Sequence, residues 1–243
     1  MGEMVGKANK QYNKIEYYFL LKNINQQLAK ENELLRNKLK DNFTHADTIN
    51  KIVTDSIPYD TLGNRRKWEY QMAKVVANSV SNPENFIQLN RGSKQGIQKD
   101  MGVVDPNNSV VGIITDVSDN FSVVMSLLHK DSRISAKLKK AGDVGMIVWD
   151  GKDPNILTLT DIRKSAKIAK GDTVITSGFT TTFPLGFLVG TIEKITPDVE
   201  TNNFIIKVKS SANFHNLQYV YSVNNLDRQE MNQLMEKSKV KTK

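Results

Sequence analysis

The sequence predicts a mainly β protein: an N-terminal α-helix able to form a short coiled coil, followed by two tandem six-stranded β-barrels. Three observations carry this prediction. A segment free of Pro and Gly near the N-terminus carries leucines at heptad spacing. From Trp68 onward the period changes to that of short strands separated by Gly, Pro, Asn and Asp. These strands fall into two sets that align with one another.

The helix is expected from Asn9 to Asp41, within a first segment 1–41. It is rich in strong helix formers. Leu21, Leu28 and Leu35 recur every seven residues, and Ile24 follows Leu21 by three, which writes an a/d seam for just over two heptads. The seam then fails at Glu31 and Lys38, so a pair of such helices is marginal by itself. Two readings stand: a parallel homodimer through the seam, and a single amphipathic helix lying on its own domain. Residues 42–67 read as a polar connector with a bend, carrying Pro58 and Gly63 and ending in Arg65-Arg66-Lys67.

Six strands are expected in a first barrel, 68–140: MAKVVANSV, NFIQLN, MGVVD, SVVGIITDV, FSVVMSLL and RISAKL. Six more are expected in a second, 141–225: VGMIVWD, NILTLTD, DTVITS, GFLVGTIEKI, NFIIKVKS and QYVYSV. NFIQLNRGSKQGIQKDMGVV aligns with NILTLTDIRKSAKIAKGDTVI, SVVGIITDV with FLVGTIEKI, and FSVVMSL with FIIKVKS. The offset is 70 residues from Phe86 to Ile156 and 78 from Gly112 to Gly190, because the second copy has a longer loop, TSGFTTTFPLG. Six strands suffice to close a small barrel and remove its edges. Residues 226–243, ending in SKVKTK, are expected to be a flexible basic tail.

The most patterned stretch is DTVITSGFTTTFPLGFLVGTIEKI, from Asp172 to Ile195. Pro184 presets φ for position i+1 of a type I turn with Gly186 at i+3, and Gly178 suits a sharp strand end. Gly112 and Gly190 fall mid-strand at equivalent places, where a barrel strand turns a corner. Phe179, Phe183, Leu185 and Phe187 put four large apolar residues into nine positions. Phe179 and Phe183 are candidate partner anchors; the alternative is that both cap the barrel end.

Composition narrows the chemistry. The absence of cysteine excludes disulfides, thiol catalysis and cysteine-ligated metal. There are three histidines, His45, His129 and His215, at no metal-binding spacing, and no HExxH, EF-hand, Walker or GxGxxG motif; neither a cofactor nor a metal is expected. Tandem six-stranded barrels also describe chymotrypsin-like proteases, with Ser177 as nucleophile and His129 and Asp131 as partners in the right chain order. The Gly-Asp-Ser-Gly type of motif that builds an oxyanion hole is missing, so the arrangement is expected without its catalytic residues. Net charge is +8, which raises a nucleic-acid-binding β-barrel as a third reading, yet few of the aromatics sit beside Lys or Arg within the strands. No run of 18 apolar residues occurs, no signal peptide is visible, and the abrupt start leaves an anchoring segment expected upstream.

A heptad helix, then GIQKDMGVVDPNNSVVGIITDV, then KGDTVITSGFTTTFPLGFLVGTIEKI, resembles the MreC family of bacterial rod shape-determining proteins. The resemblance spans about residues 15–225 and is most specific from Gly171 to Ile192. It implies a non-enzymatic scaffold on the extracytoplasmic, periplasmic side of the cell membrane, held by a single span ahead of the helix. It also implies a homodimer with higher self-assembly, a class B penicillin-binding transpeptidase as the partner that is activated, and MreD and MreB as members of the same elongation machinery.

Overall fold

The computed structural model describes residues 21–39, 43–45 and 64–240. Helix α1 is described over residues 21–37; the earlier part of the expected helix lies outside the described residues. One face of α1 rests on the first barrel. Ala29 is buried there, and Glu33, Arg36 and Asn37 are half-buried. Leu21, Ile24, Leu28 and Leu35 stay exposed, at 40%, 42%, 50% and 63%. At about 100° per residue, this stripe lies roughly a third of a turn around the helix from the docked face.

The expected connector is not only a bend. Its two ends form strands β1 (Phe43–His45) and β2 (Asn64–Arg66), which pair antiparallel from Phe43↔Arg66 to His45↔Asn64. Three-residue strands carry too little alternation to be read from sequence.

The first barrel contains β3 (Trp68–Asn78), β4 (Glu84–Leu89), β5 (Gly102–Val104), β6 (Val110–Val117) and β7 (Ser122–His129). The chain then builds the second barrel from β8 (Ile134–Leu138), β9 (Val144–Val148), β10 (Ile156–Arg163), β11 (Thr173–Thr176), β12 (Leu188–Pro197) and β13 (Asn203–Ser210), and returns in β14 (Tyr219–Asn225). Both barrels close, in the orders β14-β3-β4-β7-β6-β5 and β10-β13-β12-β11-β8-β9. Side chains alternate as a barrel requires: Asn85, Ile87 and Leu89 of β4 point inward, as do Ile134, Ala136 and Leu138 of β8.

The expected division at 140/141 is therefore corrected. RISAKL, expected to complete the first barrel, is β8 of the second; QYVYSV, expected to complete the second, is β14 of the first. Strand β14 pairs with β3 from Tyr219↔Lys74 to Asn225↔Trp68 and with β5 from Tyr221↔Val104 to Val223↔Gly102. The two strands occupy equivalent places in their barrels, so neither alternation nor strand count tells them apart.

The equivalence of the copies extends to their irregularities. The β6–β7 register shifts between Ile114 and Asp116, and the β12–β13 register between Ile192 and Lys194, each starting two residues after the shared glycine. A Cβ on Gly112 would lie 2.2 Å from the Met125 carbonyl oxygen and 2.8 Å from Val124 Cγ1. On Gly190 it would lie 2.1 Å from the Lys209 carbonyl oxygen and 2.6 Å from Val208 Cγ1. Both corners bring backbone onto backbone, and only glycine leaves the room.

The tail expected to be flexible is also corrected. Arg228–Val240 form helix α2, with Arg228 buried and its guanidinium donating to Gln98 Oε1 at 3.1 Å. RQEMNQLMEKSKV holds no Pro or Gly and has Glu230 in its first turn, all favourable to a helix.

Candidate partner-binding surface

The longer loop of the second barrel runs from β11 to β12. Thr176 shapes it: its hydroxyl donates to the Pro184 carbonyl at 2.6 Å and accepts the Phe187 N–H at 3.0 Å. The turn falls at Leu185–Gly186, one residue later than the expected type I turn. Gly178 and Gly186 take the left-handed φ values of +74° and +106° that the bends require.

Across this frame the four apolar residues separate. Phe179 is 76% exposed and Leu185 59%, whereas Phe183 is 2% and Phe187 9% exposed. Phe183 is thus not an exposed anchor. Its ring fills the space over Gly102 of the first barrel, where an added Cβ would lie 2.3 Å from Phe183 Cε1. It meets Phe187 edge-on at 6.4 Å, and Phe187 meets Tyr70 of β3 edge-on at 6.3 Å. The loop is a bolt between the barrels, with Phe179 and Leu185 on its outer side.

The turn between β5 and β6 completes the junction. The Leu188 N–H donates to the Asn108 carbonyl at 2.9 Å, beside a parallel bridge between Ser109 and Leu188. The Arg36 guanidinium of α1 reaches the same turn. It donates to Asn108 Oδ1 and, at 2.7 Å, to the Pro106 carbonyl, and its carbon lies 4.4 Å from the Tyr221 ring centroid. Burial lowers the Arg36 pKa, partly offset by Tyr221, Tyr70 and Asp105. One residue on, the Asn37 amide donates to the Tyr70 carbonyl at 3.0 Å and accepts its N–H at 2.9 Å, pairing with the edge of β3 as a strand would. The Tyr221 hydroxyl donates to the Ala29 carbonyl at 2.9 Å. Arg36, Asn37 and Asn108 were not singled out in the sequence; an Arg-Asn pair on a polar helix face gives no signal of docking.

The hydrolase arrangement does not assemble. Ser177 is 3% exposed; its hydroxyl shares a 2.8 Å hydrogen bond with Ser135 and accepts the Phe179 N–H at 3.2 Å. His129 ends β7 in the other barrel, accepts the Asp131 N–H on Nδ1 at 3.0 Å and packs edge-on to Phe86 at 4.9 Å. His215 sits in a short 3-10 turn, Phe214–Asn216, and His45 in β1. Among the described residues no cluster of three His, Cys, Asp or Glu is placed to hold a metal ion.

This two-barrel architecture has known counterparts. Residues 75–224 match the family described as "Rod shape-determining protein MreC, barrel core". The cell shape-determining protein MreC of Listeria monocytogenes is 30% identical over 172 residues, covering 69% of this chain and 55% of that protein. MreC of Bacillus subtilis is 28% identical over 208 residues, covering 80% of this chain and 72% of that protein. The solved structure of Listeria monocytogenes MreC superposes with a TM-score of 0.61 at 27% identity, covering 87% of this chain and 92% of the other. MreC in a complex with the penicillin-binding protein PBP2 from Helicobacter pylori shares the fold, with a TM-score of 0.55 at 22% identity over 66% of this chain and 99% of that one.

Proposed function

Because this chain belongs to the MreC family of rod shape-determining proteins, we propose that it is a non-enzymatic scaffold that organises and activates the peptidoglycan transpeptidase of the cell-elongation machinery. It acts from the extracytoplasmic side of the cell membrane, held by a span ahead of α1, as the family resemblance implies. The observation that carries this reading is the presence of two exposed apolar features. The leucine stripe of α1 is open to a second copy, and Phe179 with Leu185 stands out from the loop. The complex of a related fold with PBP2 supports a class B penicillin-binding transpeptidase as the partner. Activation needs only tighter binding to the active than to the inactive state of that partner. MreD and MreB belong to the same reading as members of the machinery, as does higher self-assembly beyond the dimer.

Two measurements test it. Leu28→Asp places a carboxylate in the stripe and should sediment as a monomer where the parent sediments as a dimer; identical sedimentation removes the stripe from the dimer contact. Phe179→Ala should leave the melting temperature unchanged and weaken titrated transpeptidase by about 2 kcal/mol, some thirtyfold. Parental affinity in that variant would remove Phe179 from the partner site.

A further inference from the structure

Between α1 and the first barrel, away from the loop just described, lies an open cleft of about 530 Å3. This is within the range of ligand pockets, roughly 300–1,000 Å3. Its lining is rich in amides: Asn25 and Asn32 from the helix, Asn107 from the β5–β6 turn, and Asn213, Asn216 and Gln218 from the segment entering β14. Asn32 reaches the Tyr221 hydroxyl; the other five side-chain amides are exposed and make no hydrogen bond to another described residue. The half-buried Tyr219 supplies apolar surface among them.

Charge decides the ligand class. Among the described residues Asp105 is the one ionisable carboxylate in the lining, and no Lys or Arg lines it. The Asp105 carboxylate is turned into its own loop, accepting the Asn107 N–H at 2.8 Å and the Ser109 N–H at 2.7 Å. The nearest cation, Arg36, is engaged with Asn108, Pro106 and the Tyr221 ring rather than lining the cleft, and the Asp105 carboxylate is buried, so neither an anion nor a cation is favoured by the described lining. Each amide offers two N–H donors and a carbonyl acceptor, the complement of hydroxyl groups that both donate and accept. A Tyr ring beside them suits a ligand with an apolar C–H face and a polar rim.

We infer that this cleft binds a neutral polyhydroxylated ligand, a short stretch of oligosaccharide. Nothing in that assignment depends on the transpeptidase contact proposed at Phe179.

The test is a titration of the isotope-labelled chain with chitotetraose and, in a parallel arm, maltotetraose, followed by nuclear magnetic resonance. The side-chain amide signals of Asn107, Asn213 and Asn216 should shift and saturate with at least one sugar, and the arms report whether N-acetyl groups are required. Asn107→Ala combined with Asn216→Ala should weaken that sugar about tenfold or more while the melting temperature holds. The assignment is overturned if neither sugar moves these signals at tens of millimolar, if the shifts map elsewhere, or if the double variant binds as the parent does. It is equally overturned if the signals follow protein concentration and not sugar, which would make the cleft part of a contact between copies.

Discussion

Arg36 ties α1 to two parts of the first barrel: the β5–β6 turn through Asn108 and Pro106, and β14 through the Tyr221 ring. Phe183 does the same from the second barrel, seated on Gly102. Phe183→Ala empties a buried site and should cost about 3–5 kcal/mol, seen as a lower urea midpoint. Phe179→Ala, at an exposed site a few residues away, should not move that midpoint. A normal midpoint for Phe183→Ala would show that the two barrels are not bolted by this ring. Beneath Arg36, burial raises the Asp105 pKa above the ordinary carboxylate value, against the pull of the Ser109 and Asn107 N–H groups and of Arg36. A raised folded pKa contributes stability that is full below the unfolded value and is lost as pH rises through the folded one. Asp105→Asn keeps an oxygen for the two N–H donors and removes the titration. It should be at least as stable as the parent at neutral pH, and its stability should lose that pH-dependent decline. Urea midpoints at acidic and neutral pH check the sign; a variant weaker at neutral pH would mean that attraction to Arg36 outweighs desolvation.

At the scale of elements, each piece of α1 and of the barrels was legible to the degree that its physics is periodic. The heptad leucines announce an apolar stripe, and the stripe is exposed. The docked face was not legible, because Ala29, Arg36 and Asn37 are residues that any solvated helix carries. The alternation of β4 and β8 was readable; the three-residue strands β1 and β2 were not. Composition marked the loop as apolar, but which Phe is buried depends on Gly102, far away in sequence and across the barrel interface. The paired glycines are the part of the repeat that geometry constrains most tightly. Gly112→Val and Gly190→Val would each drive a side chain into a backbone carbonyl and a valine methyl. Each should destabilise by about 3 kcal/mol, the upper end for overpacking, and by similar amounts. Denaturant midpoints measured side by side check this; one tolerated substitution would show that the two corners are not equivalent.

At the scale of the molecule, the second barrel is contiguous in sequence and the first is not. All six strands of the second, β8 to β13, lie between Ile134 and Ser210, whereas the first needs β14 from beyond them to join β3 to β5. The second barrel is in effect inserted into the first between β7 and β14. The sequence repeat could not reveal this, since β8 and β14 fill the same place in equivalent sheets. Closure therefore predicts how fragments behave. A fragment of residues 132–213 holds a complete barrel with no open edge and should unfold cooperatively by circular dichroism. A fragment of residues 64–131 leaves β3 and β5 unpaired along one side, and open edges invite association; it should lack a cooperative transition or aggregate. Joining 64–131 through a flexible Gly-Ser linker to 217–227 restores β14 and should restore cooperative melting. If 64–131 melts cooperatively as a monomer by itself, β14 is not what closes the first barrel. If the joined fragment fails while 132–213 succeeds, the first barrel also depends on the bolt at Phe183 and on α1, and adding residues 21–39 in trans should then recover part of the transition.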